Sequence, residues 1–465
     1  MVAREESASR VRAAVLPLSA RETSRVTAMT LACLMAVVVL LVAAAPARAS
    51  AGGVDWTDTW NTSKPGDVYA ARAAARPGGG VYVAASLRRP SGNLDIAILR
   101  YAANRTRAWV RYYDGAAHGV DLVKGIAVDR RGNVVICGSS RSATGKQDWV
   151  VLKYGADGRR HWVRKLAGSF GGADVPQAIA VDAAGNVVVV GSLTQPGTGA
   201  DWCVAKLSPR GVPLWRTTMS RFVSGFDQAL DVVIDPATAH IYVTGRMYAS
   251  STGDDAVTVR YRPDGQRVWR RLWDGAESGP DRGVSIALSK RGVAVAGVSG
   301  SPDSGDDGLV LSYAKNGTPR WAKVVDGGQG AAGVDRFTAV GIDDSGNVVA
   351  GGCVTTSAAQ GKDLALVRFR ASGTQGGWWQ PPGADADDAA LDVSVTPGGR
   401  TYAVGTSTGD AVVAGLSADL SPLWPVVTYD RAGGDDLAQS VSLSTGAVYV
   451  AGVSGADLLL MKIAR

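Results

Sequence analysis

The sequence predicts an all-β fold: an eight-bladed β-propeller of four-stranded antiparallel blades closed into a ring. Three observations carry this reading. Short Val-rich apolar runs alternate with Gly, Asp and Asn turn signals, and none is as long as an ordinary helix. The runs recur in eight copies about 53 residues apart, shortening to about 47 in the last two. The last copy lacks its fourth run, and a lone fourth run stands ahead of the first copy.

Residues 1–49 read as a signal peptide. Arg4, Arg10, Arg12, Arg21 and Arg25 precede an apolar run from Met29 to Ala45, and Pro46-Ala47-Arg48-Ala49 supplies a small-x-small cleavage site. The alternative is an uncleaved anchor, because an apolar run of about 17 residues is just long enough to span a bilayer. The basic stretch is long enough to put the start codon in question. Ser50 rather than Cys stands directly after Ala49, which argues against a lipid anchor there. The protein is therefore expected to be secreted, extracellular or held at the cell surface, touching membrane only if the segment stays attached. Removal of residues 1–49, with six Arg and three Glu, lowers the net charge from +7 to +4. That mild, dispersed charge argues against nucleic acid as a partner. Cys137, Cys203 and Cys353 remain, each inside an apolar run. They are expected to be buried as small hydrophobes, with a Cys137–Cys203 bridge as the alternative.

Residues 50–465 are expected to form a single domain with units starting near 67, 121, 174, 227, 281, 335, 388 and 436. The stretch Asp121–Gly168 displays one unit. Run A (Ile126–Val128) passes through Asp-Arg-Arg-Gly-Asn into run B (Val134–Cys137), which ends at Gly138. Run C (Trp149–Tyr154) passes through Gly-Ala-Asp-Gly into run D around Trp162. Such turn residues accept the positive φ of tight hairpins, so each unit is four antiparallel strands.

Four residue series keep register across the units. One Asp precedes run A (Asp67, Asp121, Asp174, Asp227, Asp281, Asp335, Asp388, Asp436) and another opens run C (Asp95, Asp148, Asp201, Asp255, Asp307, Asp363, Asp410, Asp457). Six residues after the second Asp comes a large apolar anchor such as Tyr101 or Tyr154, usually preceded by Lys or Arg. Trp marks run D at Trp109, Trp162, Trp215, Trp269, Trp321, Trp378 and Trp424. The basic series (Arg100, Lys153, Lys206, Arg260, Arg368, Lys462) is expected to be a ring of solvated charges.

The chain ends settle the closure. The lone run Val54–Trp60 supplies the strand that the last unit lacks, so the first strand completes the last blade. A ring needs this donation and an open solenoid does not; closure also leaves no end sheet to cap. Run C is apolar on both faces, as in blades packed face to face.

The units resemble the bacterial secreted β-propeller repeats called SBBP repeats. The residues carrying the resemblance are the IAVDxxGNVVxxGS core (Ile126–Ser139 and Ile179–Ser192), the xDxxxxKY strand (Asp148–Tyr154) and the following DGxxxW (Asp157–Trp162). It is strong in units two to five and weaker in six to eight. The family name implies seven blades, an alternative to the eight counted here, and implies no particular reaction.

The candidate sites follow from the loops. In a propeller the D–A and B–C connections emerge on one face, where both Asp series should lie. One reading makes them a Ca²⁺-binding rim, since carboxylates suit hard cations. The competing reading, which is preferred, makes each Asp an acceptor of backbone N–H groups in its loop. Asp121, Asp174, Asp227, Asp281, Asp335, Asp148, Asp201, Asp255 and Asp307 then belong to a structural frame. Trp109, Trp162, Trp215, Trp269 and Trp321 join them as packing between blades. No cofactor is expected. Gly405–Gly409 fits G-x-S-x-G but sits at a B–C connection, and His118, His161 and His240 are too scattered for a zinc site or a triad. The least repeated parts are the B–C connections, long at Ser139–Gln147, Ser192–Ala200, Arg246–Asp254, Ser299–Asp306 and Cys353–Lys362, short at Thr406–Gly409 and Val453–Ala456. Recognition usually resides in such loops, which singles out Ser140, Thr144, Gln147, Thr194, Gln195, Tyr248 and Thr252 as ligand contacts.

The expected function is a secreted, monomeric binding module that recognises an extracellular glycan or protein through that face. The rival is a secreted hydrolase or lyase using acidic residues at the channel mouth, for which Asp303, Asp306, Asp385 and Asp387 are the off-register acids. A purely structural surface protein is the third reading. The sequence favours binding over catalysis but names no ligand.

Overall fold

A computed structural model describes residues 51–60, 68–221, 225–250, 253–275, 279–301, 305–327, 333–357, 361–381, 387–431 and 435–465. Thirty-two strands form eight four-stranded antiparallel sheets, with no helix among the described residues. In seven sheets the strands follow chain order, which gives each blade strands A to D. The A strands stand innermost: Val68–Ala75, Asp121–Val128, Val175–Val181, Gln228–Ile234, Arg282–Leu288, Arg336–Ile342, Ala389–Val395 and Asp436–Ser444. Each packs against the next, and the eighth packs against the first. The fold is an eight-bladed propeller.

The eighth blade closes the ring as the chain ends require. Val54–Trp60 pairs antiparallel with Asp457–Ala464 on the outer edge of blade 8. Trp56 faces Lys462 there, just as Trp162 faces Lys153 and Trp269 faces Arg260. The inner seam is tied by side chains. The N–H groups of Ala71, Ala73 and Ala75 donate to Gln439 Oε1 (2.7 Å), Ser440 Oγ (3.2 Å) and Ser442 Oγ (2.8 Å).

B and C strands are buried on both faces, as in Val81–Arg88 and Ala447–Ser454, whereas D strands such as Pro213–Met219 stay largely wet. The core is therefore a set of inter-blade layers. One joins Tyr82, Ile96, Ile98 and Trp109 of blade 1 to Val123, Ile136 and Leu152 of blade 2. Cys137, Cys203 and Cys353 lie buried as free thiols, so no Cys137–Cys203 bridge is present.

The Trp series works at these seams. The indole N–H donates to a carbonyl in the C–D turn of the next blade: Trp109 to Ala156 (3.0 Å), Trp162 to Pro209 (3.0 Å), Trp215 to Pro263 (2.9 Å), Trp269 to Lys315 (3.2 Å), Trp321 to Ala371 (3.1 Å) and Trp56 to Ala103 (3.1 Å). The ring lies on the residue that turns the chain. A Cβ on Gly211 would fall 2.7 Å from Trp162, and Gly211 has φ +76°, so glycine is required twice over. A Cβ on Gly52 (φ +80°) would likewise run into the Trp424 ring, although Trp424 Nε1 has no acceptor among the described residues and Trp424 precedes the D strand Val427–Tyr429. With Gly52 N–H donating to Ala464 O (2.9 Å) and Ala464 N–H to Gly53 O (3.0 Å), this glycine completes across the chain ends the turn that blade 8 lacks.

Three expectations need correcting. Trp378 is not in the Trp register: Gly377 faces Arg368 in blade 6, and Trp378 is 37% exposed. The turn it meets in blade 7 carries Leu420 (φ +69°) in place of glycine, and Leu420 is buried. Bulk has moved from strand to turn, leaving the seam filled. The basic series is not a solvated ring. Lys153 and Lys206 are buried and pair with Asp129 (2.9 Å) and Asp182 (3.1 Å) of the A–B turns, while Arg100 and Arg260 donate to Ala156 O (2.7 Å) and Lys315 O (3.0 Å) of the next blade. A buried charge needs such partners. Finally, the long B–C connections are mostly strand. Arg141 pairs with Gln147, Gln195 with Gly199 and Ala249 with Gly253, so the Ser/Thr-rich stretches continue the ladder as β-ribbons.

Two predictions follow from the seams. Deleting residues 51–60 should lower the thermal midpoint of the whole ring in one cooperative transition, as read by calorimetry; an unchanged midpoint would refute closure by that strand. Gly377→Trp and Leu420→Gly should each destabilise, and the double variant should recover part of the loss, with a coupling of about 1–3 kcal/mol in urea unfolding; additive losses would show that the two do not share one seam.

Candidate interaction surface

The face bearing the D–A and B–C connections is built on the Asp preceding each A strand. Those among the described residues are buried; Asp174, Asp227 and Asp335 accept backbone N–H groups from two sides, whereas Oδ1 of Asp121, Asp281 and Asp436 has no donor among the described residues. Gly115, Gly168 and Gly275 in the D–A connections donate to Asp121, Asp174 and Asp281, each at 2.6 Å. Thr194, Tyr248 and Thr408 at the ends of B strands donate to Asp174 (2.7 Å), Asp227 (2.8 Å) and Asp388 (2.7 Å). The backbone N–H groups of Asp174, Asp227, Asp388 and Asp436 reach back 2.7 Å to carbonyls of the preceding blade. Asp335 is held likewise by Gly327 and Thr355. Burial pushes the carboxyls of Asp121, Asp227, Asp281 and Asp335 up from the usual range. Asp67 lies outside the described residues.

The second Asp series is held less uniformly. Asp201 accepts from Thr198 Oγ1 (2.9 Å), Asp363 from Thr356, Asp255 pairs with Arg221 and Asp457 with Arg431. Asp148 and Asp307 are partly exposed. Asp95 has only a 3.5 Å approach from Arg89 Nε; burial first, then the charges of Asp114 and Asp121, push its carboxyl to about 6.

The residues singled out as ligand contacts divide. Ser140 is fully buried opposite Asp121, because the ribbon reaches past it, and so it offers no surface to a ligand. Thr144 is exposed at the hairpin tip and bonds Ser142 (2.9 Å). Gln147 donates to Val120 O (3.2 Å), Thr194 Oγ1 to Ala173 O (3.1 Å), and Gln195 accepts from Ser169 (2.6 Å). These three are partly used up within the loops. Tyr248 is 36% exposed, and Thr252, Asp303 and Asp385 lie outside the described residues. Ser407, the centre of G-x-S-x-G, donates to Asp388 (2.9 Å) in a strand-to-strand hairpin rather than a nucleophile elbow.

Sequence reasoning missed the aromatic sector. Tyr69, Tyr112, Phe170 and Phe226 are exposed, as Tyr248 is, all on blades 1 to 4 or the connections between them. Arginines stack on them: Arg88 over Tyr69 (5.5 Å), Arg89 over Tyr112 (3.9 Å) and Arg246 over Phe226 (4.6 Å). From blade 4 onward the same face presents exposed Asp274, Asp326, Asp387, Asp430 and Asp435. The signal was present as residues that break register, but attention to Ser/Thr loops passed over them.

Two further acids were missed. Asp231 and Asp392 lie on the A strands of blades 4 and 7, at the position held by Arg72, Gly125, Ala178, Ser285, Ala339 and Ser440 in the other blades. They keep some accessible surface, yet protein surrounds them closely. Burial pushes both carboxyls to about 6, and the charge of Asp392 adds to the shift of Asp231. Each accepts a backbone N–H from the next blade, Ile286 or Val441, at 2.9 Å. They therefore bind inner strands together, and their oxygens are engaged.

Concavities lie elsewhere. A groove of about 510 Å³ runs between Lys323–Asp326 and Ser372–Gln375, and one of about 120 Å³ sits under the A–B turns at Asp129, Asp182 and Pro236. Neither includes a residue singled out from the sequence.

No family model matches the chain, and no curated protein matches it either. The repeat-family resemblance thus rests on its quoted motifs. Among solved structures the chain is similar to that of BamB from Moraxella catarrhalis, with a TM-score of 0.51 and 13% identity over 88% of this chain and 99% of that one. At that identity the likeness concerns the fold alone.

The acids of the inner strands generate a pH prediction. A carboxyl raised from 3.8 to about 6 keeps in the folded state a proton that the unfolded chain releases earlier. Its stabilising contribution is complete below the unfolded value and is lost as pH rises through about 6. Asp392→Asn should therefore lose less thermal stability than the native protein between pH 4 and pH 7. Parallel curves would refute the shift.

Proposed function

We propose that the protein is an exported propeller that binds a protein partner through the D–A/B–C face of blades 1 to 4. The observation that carries this is the sector of exposed aromatics interleaved with arginine, Tyr69, Tyr112, Phe170, Phe226 and Tyr248 with Arg88, Arg89 and Arg246. Tyr and Arg are the residues that dominate protein interfaces, because they give large contact area with few rotatable bonds and retain a polar handle. Scattered apolar residues would need no explanation; a cluster on one half of one face does. Arg246 is held by Asp254 at 2.7 Å as well as by Phe226, so part of the surface is ordered before a partner arrives. A glycan would favour a concave site with paired acceptors, and the two grooves described above lie away from this sector. The basic, apolar and small-x-small order of residues 1–49 supports export. No helix among the described residues is long and apolar enough to cross a membrane.

The test compares the native protein, immobilised, with a Tyr112→Ser/Phe170→Ser/Tyr248→Ser variant and an Asp326→Asn/Asp430→Asn control. Exposed proteins of the producing cell are passed over each, and the retained protein is then measured against all three by calorimetry. The aromatic variant should bind at least about tenfold more weakly and the acidic control should bind unchanged. Equal binding by all three, or retention of arrayed glycans in place of protein, would overturn the reading.

A further inference from the structure

The junction of blades 1 and 2 carries an arrangement that the loop frame does not use up. Asp95 opens the C strand Leu94–Tyr101, Asp114 follows the D strand Arg107–Tyr113, and Asp121 opens the next A strand. One oxygen from each lies within 4.8 Å of the others. Oxygens on opposite sides of a Ca²⁺ ion are separated by twice a bond of roughly 2.4 Å, so one ion can reach all three. Mg²⁺, with bonds of roughly 2.1 Å and a strict octahedron, fits such a spread less well.

Carboxylates crowd together on many surfaces, so the cluster alone is no argument. Asp95 supplies the second observation. It is 5% exposed, and its Oδ1 is buried with no hydrogen-bond donor among the described residues. Its Oδ2 has only Arg89 Nε at 3.5 Å, and that guanidinium is committed to the Tyr112 ring at 3.9 Å. The Oδ1 atoms of its counterparts Asp201 and Asp363 also lack a donor, but Oδ2 of Asp201, Asp255, Asp363 and Asp457 is held directly by a Thr or Arg side chain, which Asp95 Oδ2 is not. A buried carboxylate oxygen without a donor is costly, and a hard cation satisfies it. The other members leave room for this. Asp121 Oδ2 accepts from Gly115 N–H (2.6 Å), and Asp114 meets exposed His118 at 2.7 Å with its own side chain 37% exposed, which leaves an entry path for an ion and its waters.

We propose that Asp95, Asp114 and Asp121 bind one Ca²⁺ ion at the seam between blades 1 and 2. The ion ties the C strand of blade 1 to the A strand of blade 2 through the D–A connection. Clusters at Asp307, Asp326 and Asp335 and at Asp410, Asp430 and Asp436 repeat the geometry. Their C-strand Asp is partly exposed in both, so the proposal is confined to the first junction.

The test is titration of CaCl₂ and TbCl₃ into the chelator-treated protein, read by calorimetry and by Tb³⁺ luminescence excited through the neighbouring tyrosines. The native protein should bind Ca²⁺ with Kd near 10⁻⁴–10⁻³ M, as extracellular modules do, on the order of tenfold tighter than Mg²⁺. Asp95→Asn should lose one bound ion and its luminescence. Asp114→Asn removes an exposed ligand without touching the buried frame, and it should weaken the same site at least about tenfold while leaving the unliganded thermal midpoint unchanged. It decides the matter if Asp95→Asn does not fold. Native-like Ca²⁺ binding by a folded Asp95→Asn or by Asp114→Asn, or no Ca²⁺ binding by the native protein at millimolar concentration, would overturn the proposal.

Discussion

The ring depends on one repeated contact, a tryptophan from the outer strand of one blade laid on the C–D turn of the next. The contact combines a buried indole face, an N–H to carbonyl bond and a turn residue with positive φ. Each part is modest, but the contact joins neighbouring sheets that share no strand ladder. Because the turn residue and the Trp are four positions apart in one blade, a single blade can both receive a ring and offer one. Gly52 and Trp56 play these two parts across the chain ends, which makes the last seam equivalent to the internal ones. The exception at Gly377 and Leu420 is instructive, since the volume at the seam is kept while its donor is exchanged.

The opposite ends of the blades are fastened by different chemistry. On one face buried Lys153 and Lys206 neutralise Asp129 and Asp182, whose carboxyls burial would raise but which hydrogen bonds from Asn133 or Asn186, and from the lysines, hold below the usual range. On the other face buried Asp residues gather backbone N–H groups from two connections at once. The frame is thus rigid at both rims. A rigid rim lets a surface present ordered side chains to a partner without first losing their conformational entropy. The aromatic and arginine sector occupies that rim on blades 1 to 4.

The two acids of the inner strands illustrate why regularity and function must be separated. Asp231 and Asp392 have raised carboxyls of the kind found at catalytic sites, yet their oxygens are spent on backbone groups of neighbouring strands. Asp95 differs from them in combining an oxygen that has no donor with a place beside Asp114 and Asp121.

The sequence by itself determined the all-β class, the eight blades, the strand order and the closing role of Val54–Trp60. These follow from spacing, because hairpin turns and strand length are local and a missing fourth run can be counted. It also supplied the Asp and Trp series as frame residues, though only the folded chain reveals what each one touches. Tertiary structure decided what depends on neighbours far apart in the chain. Lys153 looked solvated because its partner Asp129 belongs to the A–B turn, which spacing does not place beside it, and Trp378 looked in register until pairing put Gly377 opposite Arg368. Ser140 sat in an apparent loop that proved to be a β-ribbon. The gathering of Tyr69, Tyr112, Phe170, Phe226 and Tyr248 on one half of one face was beyond reach for the same reason. Their spacing has no period, and only the folded blades show which side chains stay exposed on that face.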